Sequence, residues 1–132
     1  LKVLVALACL CSSMAAAEPR VLDGVESQVV LRRWNASGGG EPIGSELLSV
    51  VLSESGAGDV VVLTWSTDRR SFTAEVFRPL PPVNGLREWE SVGASAAKKL
   101  SEQPGGTYAI QYTRAGPDGG LIVQTFRLPG QK

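Results

Sequence analysis

The side chains able to do chemistry are few, and their spacing argues against catalysis. Ser95-Ala96-Ala97-Lys98 has the Ser-x-x-Lys spacing. On a helix this sets a lysine amine beside a hydroxyl and activates it as a nucleophile. The companion Ser-Asp-Asn and Lys-Thr-Gly elements are missing, and 132 residues are too few for the folds that carry that motif. Ser95 and Lys98 therefore read as solvated residues on a polar helix face. Glu88 and Glu90 flank Trp89, and paired carboxylates are the tools of glycoside hydrolysis. On a helix, residues two apart diverge, so these two do not converge. Gly39 to Ser45 has the length of a phosphate loop, but no lysine precedes its last hydroxyl, and Pro42 removes a backbone donor.

Metal chemistry is as poorly supplied. The chain has no histidine, and its two cysteines, Cys9 and Cys11, lie in the leader described below. Zinc, copper, haem and iron–sulfur centres lose their usual ligands. A calcium loop needs closely spaced acids, whereas Asp59 and Asp118-Gly119 stand alone. The sequence thus predicts no catalytic residue, no cofactor and no metal, and a protein that is not an enzyme.

Recognition is better served. Trp34, Trp65 and Trp89 are candidates for a stacking platform, against the alternative that each packs in the core. Core packing is the favoured reading for Trp65; Trp34 lies beside a glycine-rich loop. Arg69-Arg70 at a turn and Trp34 are the expected partner contacts. Asn35-Ala36-Ser37 is an acceptor for N-glycosylation in a loop, so Asn35 is the expected modification site. Thirteen Lys/Arg balance thirteen Asp/Glu, with no like-charge block longer than two. No basic stripe exists for nucleic acid.

These residues follow a leader. Lys2, the apolar run Val3 to Leu10, and Ala15-Ala16-Ala17 form the pattern of a secretory signal, residues 1–17, cleaved before Glu18. The run is shorter than the ~20 residues that span a bilayer, and no later segment is apolar enough to do so. What remains, residues 18–132, has no cysteine. It either folds alone on one core or belongs to a longer chain whose cysteines lie further on.

The expected elements are mostly strands. Val21 to Trp34 and Glu46 to Glu54 alternate or run apolar, with a loop over 35–44. Leu48, Val50 and Leu52 share one face. Asp59–Ser66 and Ser71–Arg78 form a hairpin that Pro79-Leu80-Pro81-Pro82 stops. Leu86, Trp89, Val92, Ala96 and Leu100 recur at three and four, which predicts a helix near 85–103 with Asn84 as its cap. Thr107–Arg114 and Leu121–Leu128 make a last hairpin about Pro117-Asp118-Gly119-Gly120. The expected fold is α+β or mostly β: one domain, an antiparallel sheet of about five to six strands with one packed helix.

Val29 to Val76 resembles the N-terminal segment of the out at first family of secreted animal proteins. The likeness rests on Val29-Val30-Leu31-Arg32, Gly38-Gly39-Gly40, Glu46-Leu47-Leu48, Asp59 to Trp65, Asp68, and Ser71-Phe72-Thr73-Ala74-Glu75-Val76. Ala96 to Pro104 is similar to that family's Ala/Lys/Leu helix ahead of a proline. The family's mid-segment cysteine and its cysteine-rich C-terminal part have no counterpart here. The resemblance implies a secreted developmental or signalling role and carries over no catalytic residue.

The functional expectation is a secreted, extracellular, non-enzymatic interaction module that offers a sheet face, edge or loop to a protein partner. The segments favoured for contact are Asn35–Ser45 and the Arg69–Arg70 turn. The alternative is a secreted small-ligand or carbohydrate binder using Trp34 and Trp65.

Overall fold

A computed structural model describes residues 19–35, 37–53, 58–93 and 97–128. The strands are β1 (Arg20–Arg33), β2 (Glu41–Leu52), β3 (Val60–Trp65), β4 (Phe72–Val83), β5 (Leu86–Ser91), β6 (Lys99–Gln103), β7 (Thr107–Arg114) and β8 (Gly120–Arg127). Each pairs antiparallel with its neighbours in sequence order, and β1 pairs with β8, closing a barrel. The α+β sheet of five to six strands is corrected to an all-β barrel of eight, with no helix among the described residues.

The predicted helix over 85–103 is overturned by a turn. Asn84 and Gly85 both have positive φ, 53° and 79°. That is the geometry of a two-residue hairpin turn with the hand that matches strand twist. Asn84 therefore reverses the chain rather than capping a helix, and Leu86–Ser91 folds back on β4 with Leu80↔Glu88 and Phe77↔Ser91 in register. Trp89 and Leu100, assigned to one helix face, sit on different strands and are direct partners across β5 and β6.

The prolines of 79–82 do not stop β4 either. β3 begins opposite Phe77, so β4 beyond that point has one edge without a β3 partner. Pro81 and Pro82 fall within a register shift between Leu80 and Val83, where no ladder bond is asked of them. Pro42, assigned to the loop, lies within β2 opposite Val30.

Alternation sends one set of side chains into the lumen. Val25, Leu48, Val50, Val60, Val62, Phe77, Trp89, Leu100, Tyr108, Ile110 and Phe126 form the main core. Val29, Leu31 and Ile122 form a second cluster, with Tyr112 packed against both. The Tyr108 ring stacks on Phe126 at 5.6 Å, and the Trp89 indole N–H donates to the Gly58 carbonyl at 3.1 Å. An eight-stranded interior is just wide enough for side chains to fill, and these aromatics fill it.

Polar groups also line the lumen and its rim. Gln124 Nε2 donates to Ser27 Oγ (2.8 Å) and Glu46 Oε1 (3.1 Å), while Ser27 Oγ donates to the Glu46 carbonyl (2.8 Å). Lys98 Nζ reaches Glu75 Oε1 at 2.8 Å and lies 4.5 Å from the centre of the Tyr112 ring. No described helix is long and apolar enough to cross a membrane. On the outer face of β4–β7, Arg78, Glu90, Lys99 and Gln111 stand in successive register, with Glu88 on the same face of β5.

Candidate recognition surface

The outer face of β1–β4 differs from the rest of the barrel. Val21 pairs with Val51, Val51 with Val61 and Val61 with Val76, so four valines form one row across four strands. The Val92 amide donates to the Val76 carbonyl at 2.9 Å and extends the row beyond β5. Val21 is 65 % exposed, Val76 39 % and Val92 43 %. Further along the same face Leu63 pairs with Ala74, and Trp65 with Phe72.

Trp65 is the anchor of this face. Val60 and Val62 point inward, so Trp65 points outward, correcting the expectation that it packs in the core. Its ring meets Phe72 edge-on at 5.0 Å, and Phe72 is 54 % exposed. The Trp65 indole N–H donates to Ser49 Oγ at 2.8 Å, and the Ser49 hydroxyl donates to Asp23 Oδ1 at 2.6 Å. Arg69 NH2 pairs with the same carboxylate at 3.2 Å, its guanidinium carbon 5.0 Å from the centre of the Trp65 ring.

Local structure aims each of these groups. Asp23 and Gly24 sit in a register shift between Leu22 and Val25, and Gly24 has φ +71°. The bulge turns Asp23 toward Ser49. Asp68 holds the β3–β4 turn: Ser66 Oγ donates to Asp68 Oδ1 at 2.7 Å, and the Arg70 amide donates to it at 3.0 Å. Arg69, in the left-handed region at φ 59°, is thereby directed at Trp65 and Asp23. The Ser49 hydroxyl, then the Gly24 amide and Arg69, hold the Asp23 carboxyl below its ordinary value. Asp68 is lowered too, first by Ser66 and then by the Arg70 amide.

A cleft of about 890 Å³ adjoins this cluster, lined by Glu26, Gln28, Ser45, Glu46, Trp65 and Arg69 among others. It falls within the usual range of ligand sites. A smaller hollow of about 290 Å³ lies against Arg32, Arg33, Trp34, Gly38, Gly40 and Leu121. Trp34 is 59 % exposed there, and Asn35 is exposed beside it. Arg33 pairs with Glu41 at 2.8 Å and with Asp118 at 3.5 Å.

The expected contacts thus separate. Arg69 joins Trp65, whereas Trp34 belongs to the β1–β2 end, and Arg70 is exposed at the turn. Trp89 is core. Ser95 and Ala96 lie outside the described residues. Lys98 is committed to Glu75 inside the barrel instead of lying solvated on a polar helix face as expected. Glu88 and Glu90 share the outer face of β5 because residues two apart in a strand point the same way, correcting their expected divergence. Lys99 pairs with Glu88 at 2.9 Å and stands opposite Glu90 in register. Among the described residues no cluster of acidic or thiol groups is arranged to hold a metal.

Sequence reasoning missed Asp23, Ser49 and Phe72. Asp23-Gly24 inside an apolar strand is the signal of a bulge. Nothing in the sequence linked Ser49 to Trp65. No protein-family description, curated protein or solved structure matches this chain.

Proposed function

We propose that this protein is a secreted, non-enzymatic interaction module that binds an extracellular protein through the outer face of β1–β4. The observation that carries the reading is the valine row across β1–β4, with the Trp65–Phe72 pair further along the same outer face of the barrel. Contiguous apolar surface of this kind marks sites of association. Trp65 and Arg69 belong to the residue types that dominate binding energy, and both are held before any partner arrives. Export and a glycan on Asn35 belong to the same proposal, since they would place this face outside the cell. A signalling or developmental role fits a module that binds and does not transform.

A photo-cross-linking residue at position 72, on intact cells, tests this. The expected result is a discrete adduct that disappears with Val76→Ser, and no adduct from position 123 on β8. Equal labelling from both positions, or none from position 72, overturns the reading. A second reading is a small-ligand or carbohydrate binder at Trp34, favoured by the exposed indole above the Arg32 hollow. Titration with neutral and acidic sugars, with Trp34→Ala as control, tests it.

A further inference from the structure

We propose that the protein takes up an extended basic peptide as an added strand along the free edge of β2; this rests on the protein-binding reading above and specifies the partner's chemistry. The last β2–β3 pair is Leu48↔Thr64. β2 continues to Glu41, so residues 41–47 have no ladder partner on the β3 side among the described residues, Leu47 alone lying beside the Trp65 end of β3. The chain after Trp65 turns away instead, with Ser66 N–H donating to the Ser71 carbonyl and Arg69 N–H to the Ser66 carbonyl, both at 2.9 Å. Where β3 would have continued lies the 890 Å³ cleft. Ser45, Glu46 and Leu47 form one wall, Trp65, Ser66, Thr67 and Arg69 the other.

An open strand edge is a template for pairing, and proteins usually blunt it. Here the backbone ladder is interrupted only at one end, and the inward Glu46 restricts the rest to a strand that brings a basic partner. Pro42 lacks an N–H, and the register shift between Val29 and Val30 leaves Ile43 as an extra residue. Gly44 to Leu47 remain as a regular ladder of four residues, roughly 14 Å long. Backbone pairing supplies affinity in such additions, and alternate side chains supply selection.

Charge identifies the alternate side chains. Glu46 faces inward opposite Ser27, and its carboxylate receives only Gln124 among the described residues while the residue stays exposed. Glu26 brings a second carboxylate to the cleft. Arg69 is already paired with Asp23. The uncommitted charge of the cleft is therefore negative. A guest strand would place a basic side chain opposite Glu46 and apolar ones on the outer side, against Leu47 and Trp65.

The test is amide NMR of the full secreted chain titrated with acetyl-Val-Lys-Thr-Lys-Val-amide. The expected shifts centre on Gly44–Leu47 and the Trp65 indole N–H. Glu46→Gln weakens binding by up to about fivefold, the limit for an exposed ion pair, and N-methylation of the peptide backbone abolishes it. Absence of shifts, shifts elsewhere, or unchanged binding of the N-methylated peptide each overturns strand addition. Failure here with the position-72 adduct retained refutes the strand alone. Loss of that adduct with the peptide still bound refutes the apolar face as the docking surface.

Discussion

Ser49→Ala is the sharpest perturbation of the recognition surface, because one hydroxyl serves two partners. Ser49 is buried on the outer side of β2, accepting from the Trp65 indole and donating to Asp23. Its loss leaves a half-buried indole N–H without its acceptor, at a cost of about 1–2 kcal/mol. For a domain of this size that lowers Tm by roughly 3–8 °C. A second consequence is electrostatic. The hydroxyl is the largest cause of the lowered Asp23 titration, so the carboxyl moves up toward its ordinary value of 3.8 in the variant. Thermal unfolding reads the first effect and carboxyl-carbon NMR titration the second. Ser49→Thr keeps the hydroxyl and holds the Asp23 titration in place. A variant whose Tm stays within about 1 °C of the parent, with Asp23 titrating unchanged, would refute the claim that Ser49 fixes Trp65.

Gly120→Ala tests barrel closure. A Cβ there falls on the Arg32 carbonyl oxygen and within 2.8 Å of Arg33 Cα, so β1 and β8 must separate, costing about 1–3 kcal/mol by denaturant unfolding. Acid stability follows from the lowered carboxyls. Burial raises Glu102, but hydrogen bonds and charge from Arg87, with a smaller Tyr108 contribution, outweigh it, so its folded pKa lies below the ordinary 4.5. A depressed pKa stabilises fully above the ordinary value and stops doing so as pH falls through the folded one. With no histidine to titrate, urea midpoints should be flat from about pH 5 to 8 and fall below about pH 4.5; Glu102→Gln should shallow that acid limb. Asn35→Gln should lower the intact mass of protein secreted from a eukaryotic host by one glycan and leave its unfolding midpoint in place, since Asn35 is exposed.

Much of the barrel is legible from local pattern. The β3–β4 and β7–β8 hairpins follow from alternation about Asp68 and about Pro117-Asp118-Gly119-Gly120, and the inward set Leu48 and Val50 from their spacing. The middle is not, because Leu86, Trp89, Val92, Ala96 and Leu100 satisfy helical spacing by coincidence. Trp89 and Leu100 are both inward on adjacent strands, and their separation in sequence happens to equal about three helical turns. The decisive signal was Asn84-Gly85. An Asn-Gly pair after an alternating run is stronger hairpin evidence than a five-point periodicity is helix evidence, since its two positive φ angles exclude a helix start.

The surface was less legible than the core for a physical reason. Burial follows from a residue's own parity along its strand, but a surface constellation depends on register between strands. Trp65, Ser49 and Asp23 come from three strands, and they meet only because Leu63 pairs with Ser49 and a bulge shifts β1 beside it. Strand length has the same non-local character. Nothing in Gly44–Leu47 shows that β3 ends early; that is fixed by Ser66 and Asp68, which close the β3–β4 turn at Trp65 before β3 can run on to the level of Gly44. The free edge is thus a property of the β3–β4 turn, although its donors and acceptors belong to β2. Lengthening that hairpin so that β3 continues along Gly44–Leu47 would fill the cleft from within and remove the guest strand's place without altering a residue of β2.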